Sequence, residues 1–206
     1  NRCGAYRVVA EDIDKRALRN VCLSYLAFTD QGEELVSSHY EEADNMTDTL
    51  AALTAATKAQ LACQEELLAD FEAQWSHDGL VMDKWFALQA TRPDDDVLAI
   101  VEKLMAHPSF NFNNPNRVRA LVGAFASQNP KAFHAVDGSG YRFLVEVLIK
   151  LNESNPQVAA RLIEPLIKLS RYDNQRQTLM RRGLERLKGL DNLARDLFEK
   201  IEKALL

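Results

Sequence analysis

Two Asn-Pro doublets, Asn114-Pro115 and Asn155-Pro156, stand 41 residues apart and restrict this chain more than any other feature. Asparagine accepts from the orphan N–H groups of a helix's first turn, and proline in the first helical position gives up a donor that has no partner there anyway. Each doublet therefore predicts a helix start. When the doublets are superposed, Leu121, Val122 and Phe125 fall on Leu162, Ile163 and Leu166, so the apolar faces repeat with the caps. A period near 40 residues belongs to HEAT or armadillo-like arrays, in which each helix pair is stabilised mainly by its neighbours.

Helical spacing continues through most of the chain, and no segment alternates strictly enough to predict a strand. The expected class is all-α, a superhelical array of antiparallel helix pairs. Helices are expected over residues 15–29, 47–58, 60–76 and 81–90, with another opening at Pro93 and the acidic run Asp94, Asp95 and Asp96. In the second half they are expected over 141–151, 155–170, 174–188 and 192–206, with Gly189 closing the penultimate one. Residues 1–206 are read as a single domain.

Hydrophobic residues at 47% and charged residues at 27% are ordinary for a globular chain. Even the richest apolar stretch, residues 143–151, is broken by Glu146 and Lys150, so no membrane span is expected. Cys3, Cys22 and Cys63 form no C-x-x-C pair, which fits a reducing cytoplasm better than a disulfide framework. The opening Asn1-Arg2-Cys3-Gly4 has neither an initiator Met nor a signal pattern, and reads either as a boundary cut within something longer or as a processed end. Residues 1–110 carry 9 basic and 20 acidic side chains, residues 111–206 carry 16 and 10. The basic cluster Arg176, Arg181, Arg182, Arg186 and Lys188 is interrupted by Glu185 and lacks interleaved aromatic residues, so nucleic acid is not an expected partner.

Catalytic and metal chemistry find no foothold. None of His39, His77, His107 and His134 starts an H-E-x-x-H motif, and Gly138-Ser139-Gly140 lacks the nucleophile elbow around its serine. No catalytic residue, metal ligand or cofactor is expected in this chain. One polar constellation remains, on the helix expected over 155–170. Val158, Leu162, Leu166 and Leu169 build an apolar stripe, and Gln157, Arg161, Glu164 and Lys168 a polar one. Gln157 and Arg161 lie one turn apart and together could hold a peptide carbonyl or carboxylate. Spacing alone favours a solvated face with an Arg161–Glu164 pair.

The strings Asn114-Pro115-Asn116-Arg117-Val118-Arg119-Ala120-Leu121-Val122-Gly123-Ala124-Phe125, Phe133-His134-Ala135-Val136-Asp137-Gly138-Ser139-Gly140-Tyr141 and Asn155-Pro156-Gln157-Val158-Ala159-Ala160-Arg161-Leu162-Ile163-Glu164-Pro165-Leu166 resemble the bacterial aminopeptidase N family of gluzincin-type zinc metallo-aminopeptidases. The resemblance extends to Arg16-Ala17-Leu18-Arg19-Asn20 near the start and to Leu187-Lys188-Gly189-Leu190 near the end. It implies a non-catalytic C-terminal cap that closes over an active-site chamber and admits short peptides. The zinc and its H-E-x-x-H ligands would belong to a catalytic domain absent from this chain. The partners implied are the parent's own catalytic and N-terminal domains. Gln157 and Arg161 map onto positions facing the substrate beyond the scissile bond, and Arg119 onto a further chamber-lining position. A freestanding helical-repeat scaffold for protein–protein interaction is the alternative.

Overall fold

The computed structural model describes residues 7–206, so Cys3 and the Asn1–Gly4 stretch lie outside the described residues. The described residues are helical with no strand among them, in two compact units.

The first unit comprises residues up to 88 together with 92–94. Its helices are α1 (Ala10–Leu26), α2 (Gly32–Glu41), α3 (Met46–Ala59), α4 (Gln64–Trp75) and the body of α5 (Gly79–Ala90). Helix α3 begins where the Asn45 side chain accepts from the Asp48 amide at 3.0 Å and ends at Gln60, which takes the left-handed conformation (φ 53°). Leu53, Phe71, Met82 and Phe86 are fully buried, and Trp85 donates its indole N–H to the Leu68 carbonyl at 3.0 Å. Inside α3's first turn Asp48 is buried. It pairs with Arg19 and accepts amide N–H groups from Asn20 and Asn45, both at 2.9 Å. No local sequence signal predicts α2. No side chain caps its start, and Gly32 is there because a Cβ would meet the Ala27 carbonyl oxygen at 2.2 Å. That helix begins where the chain is forced close to α1, which is a tertiary cause without a local signal.

The second unit comprises residues 89–91 and 95–206. It opens with α6 (Val97–Met105), which starts at Val97 rather than at the expected Pro93. A rod follows, made of α7 (Pro115–Val118), a π-helical turn (Arg119–Gly123) and α8 (Ala124–Gln128). Then come α9 (Pro130–Phe133), α10 (Ser139–Ser154), α11 (Pro156–Leu162), α12 (Glu164–Ile167), α13 (Asn174–Lys188) and α14 (Arg195–Leu205). Both expected caps are in place: Asn114 accepts from the Asn116 amide at 3.0 Å, and Asn155 from the Val158 amide at 3.2 Å. All six superposed apolar residues are buried. HEAT/armadillo-like helix pairs are thus what the repeat produces.

The expected helix over 155–170 is divided. It stops at Leu162, resumes as α12 and finishes as a 3₁₀ turn at Leu169–Arg171. Pro165 is the cause, since it has no N–H for the carbonyl four residues back and its ring crowds that carbonyl. The apolar stripe survives the break, with Val158, Leu162, Leu166 and Leu169 all buried.

Candidate functional site

The two capped helix starts of the second unit come together around one depression. Pro115, Arg119, Asn155, Gln157, Val158 and Arg161 line a cavity of about 160 Å³. The structure therefore brings Arg119, Gln157 and Arg161 to a single place. Each is solvent-exposed, Gln157 in the first turn of α11, Arg161 in its last and Arg119 in the π-helical turn of the rod.

Their commitments differ. Arg119 is held by its own rod, its Nε donating to the Pro115 carbonyl at 3.1 Å and its terminal nitrogen to the Asn116 side-chain oxygen at 3.0 Å. The π-helical turn that begins at Arg119 is marked by the Ala124 amide reaching back five residues to the Arg119 carbonyl. Such turns recur at functional sites because they re-aim the side chains they carry. By contrast, neither Gln157 nor Arg161 makes a side-chain hydrogen bond or ion pair with another described residue. Glu164, the expected partner of Arg161 in a solvated stripe, is paired with Lys200 of α14 instead. Lys200 also donates to the Ala160 carbonyl at 2.7 Å. Arg161 keeps its planar fork of donors available.

Behind Arg161 the surface opens into a larger depression of about 650 Å³, lined by Gln157, Ala160, Arg161, Asp196, Glu199, Lys200 and Lys203. The α14 side chains of this second wall were not legible as site residues. They follow the site by some 40 residues, and their charges fit the ordinary exposed face of a terminal helix.

Three of the four histidines are occupied by the fold. His134 sits between two tyrosines, its Nδ1 at 2.8 Å from the Tyr141 hydroxyl and its Nε2 at 2.7 Å from that of Tyr172, whose ring it stacks on. Arg176 donates to the His134 carbonyl at 2.7 Å. Burial, reinforced by the Arg176 charge, lowers the His134 pKa, and burial pushes Tyr141 up to about 12. The tight turn before α10 makes this clamp possible. Gly138 has φ 71°, and a Cβ on Gly140 would meet the Phe133 carbonyl oxygen at 2.3 Å. His107 accepts from the Ser109 amide, and His77 stacks on Trp75. Among the described residues no three His, Cys, Asp or Glu side chains are grouped to hold a metal ion.

Four of the five members of the basic cluster of α13 are also engaged. Arg176 pairs with Asp173 at 2.6 Å, Arg186 with Glu146 at 2.5 Å and Lys188 with Glu202 at 3.2 Å, while Arg181 donates to the Leu205 carbonyl. No helix among the described residues is long and apolar enough to cross a membrane.

Comparison with known proteins places the fold. Residues 1–206 match the family described as a domain of unknown function (DUF3458_C), ARM repeats. The aminopeptidase N of Haemophilus influenzae is 70% identical over 204 residues, which covers 99% of this chain and 24% of that protein. The aminopeptidase N of Escherichia coli is 60% identical over 202 residues, covering 97% and 23%. A crystal structure of Legionella pneumophila aminopeptidase A in complex with aspartic acid superposes with a TM-score of 0.88 at 31% identity, over 100% of this chain and 25% of that one. The chain spans about a quarter of the length of the curated relatives it matches.

Proposed function

This chain belongs to the ARM-repeat family described as a domain of unknown function (DUF3458_C) and resembles aminopeptidase N across its length, and from that premise we propose that it is the non-catalytic C-terminal cap of a zinc aminopeptidase. In this reading residues 1–206 work as one domain of a cytoplasmic enzyme. They enclose the active-site chamber and restrict entry to short peptides, while zinc and the bond-breaking groups reside in the parent's catalytic domain. The partners are the parent's own catalytic and N-terminal domains.

The observation that carries the proposal is the convergence of Arg119, Gln157 and Arg161 on one cavity, with Arg161 making no ion pair among the described residues. A short peptide whose N-terminus lies at the catalytic centre presents its C-terminal carboxylate to whatever lines the far side of the chamber. Arg161 supplies a fork of donors matched to that carboxylate. Gln157, one turn earlier, supplies a donor and an acceptor for the last peptide group. Arg119, already tied to its own rod, adds positive charge without needing to move.

The test is Arg161→Ala in the full-length parent, assayed on a tripeptide and on a neutral aminoacyl amide. A hydrogen bond to a charged group contributes about 1.5–3 kcal/mol, so kcat/KM for the tripeptide should fall roughly ten-fold to a hundred-fold while the amide changes little. Equal losses on both substrates, or none, would remove Arg161 from carboxylate recognition.

A further inference from the structure

Within the second unit, α6, the loop that follows it and α10 enclose a depression of about 680 Å³, the size of a small-ligand pocket. It shares no lining residue with the two depressions around Arg161. Its apolar lining comes from three segments. Met105 closes α6, Phe110 and Phe112 stand in the loop, and Phe143 and Val147 lie one turn apart on α10.

The fold sets most of this wall. Phe143 is nearly buried and meets Phe125 edge to face at 5.6 Å. The loop is shaped by its own turns, in which the Phe110 amide donates to the His107 carbonyl at 2.8 Å and the Asn113 amide to the Asn111 side-chain oxygen at 2.9 Å. Met105 is half-buried and supplies the adaptable part, since an unbranched thioether follows side chains of different shape.

The charges around this floor are the informative feature. Glu146 also lines the depression, but Arg186 holds it at 2.5 Å. Glu102 on α6 and Lys150 on α10 are exposed, and neither side chain has a hydrogen bond or ion pair with another described residue. One uncommitted carboxylate and one uncommitted ammonium beside an apolar floor match a ligand that carries both charges and an apolar body. A ligand of single charge would satisfy one of the two and be repelled by the other, and an uncharged one would use neither.

We propose that this depression binds a short peptide with apolar side chains and free ends, its ammonium on Glu102, its carboxylate on Lys150 and its side chains on Met105, Phe112 and Phe143. The volume suits two or three residues better than one. This is a second peptide site, and it stands independently of the cap reading and of Arg161.

The test is methyl NMR on this 206-residue chain labelled at the methionine ε-carbons and titrated with the dipeptide Leu-Phe. Of the four methionines Met105 lines the depression, whereas Met82 and Met180 are fully buried, and a Met105→Leu variant assigns the reporting signal. The Met105 signal should move saturably while those of Met82 and Met180 stay in place. Leu-Phe acetylated at one end and amidated at the other should bind about five-fold more weakly, because it forfeits both charge pairs at a partly open rim. Glu102→Gln and Lys150→Gln, both at exposed positions, should each weaken the free dipeptide about three-fold and leave the capped one unchanged. Absence of a saturable shift at Met105 overturns the proposal, including the case in which the dipeptide binds elsewhere on the chain. So does equal affinity for the free and capped dipeptides, or indifference of the free one to either substitution, since the depression would then be an apolar surface that does not read the ends.

Discussion

Glu164 is held by Lys200, 36 residues further along the chain, and not by Arg161 three residues before it. The pairing sets the electrostatics of the candidate site, because a carboxylate freed beside Arg161 would occupy the donors that the proposed peptide terminus would use. Lys200→Met should release it. A half-exposed ion pair contributes at most about 1 kcal/mol, so thermal unfolding should shift only slightly. In the full-length parent the same variant should lose selectivity for tripeptides over neutral amides, in the direction of Arg161→Ala but less completely. Adding Glu164→Gln to Lys200→Met should restore the selectivity. Failure of that restoration would show that Glu164 does not compete for Arg161.

Asn152 offers a purely structural test. Buried in α10, it donates from Nδ2 to the Asn192 carbonyl at 3.1 Å and accepts at Oδ1 from the Ala194 amide at 2.8 Å, fastening the loop before α14. Asn152→Leu leaves both backbone groups without their partner and should lower unfolding free energy by about 1–3 kcal/mol in urea titration. Asn152→Asp keeps the acceptor but not the donor and should fall between the two. A loss below about 0.5 kcal/mol for the leucine variant would mean that water replaces both bonds.

The clamp around His134 predicts a pH dependence of stability. Burial, aided by Arg176, lowers the proton affinity of His134 in the folded state relative to the unfolded chain. Stability tied to its neutral form is therefore complete above the unfolded value of about 6.5 and is lost as pH falls through it towards the folded value. His39, also lowered by burial, contributes in the same direction, so the assignment needs a variant. His134→Phe should be less stable than the parent chain near pH 8, through loss of both tyrosine contacts. The gap in melting temperature should narrow as pH falls from 7.5 to 5. A constant gap would show that the clamp is not linked to protonation.

What the sequence made legible was whatever has a local cause. The Asn-Pro starts of α7 and α11, the end of α13 at Gly189 and the buried sets around Phe125 and Leu166 all follow from capping and periodicity, and all are found. Helix α2 escaped notice because its start is imposed by contact between Gly32 and Ala27. The continuous helix expected over 155–170 neglected Pro165, whose missing N–H outweighs an unbroken apolar stripe. At the candidate site, the residue types and the one-turn spacing of Gln157 and Arg161 were readable. That Lys200 would take Glu164 was not, because partners 36 residues apart are set by packing.

The π-helical turn at Arg119–Gly123 can be regarded as a phase shift between the two ends of one rod. An α-helix advances about 100° per residue, so the additional residue in the turn rotates everything ahead of it by about that amount relative to everything behind. Within and just after the turn Leu121, Val122 and Phe125 are buried, whereas Arg119, its first residue, is exposed in the cavity that Gln157 and Arg161 also line. Core packing and the aim of Arg119 thereby run on separate clocks along the same helix. Deleting a single residue from the turn would reset them to one, and the core would keep its register at the expense of the arginine's aim.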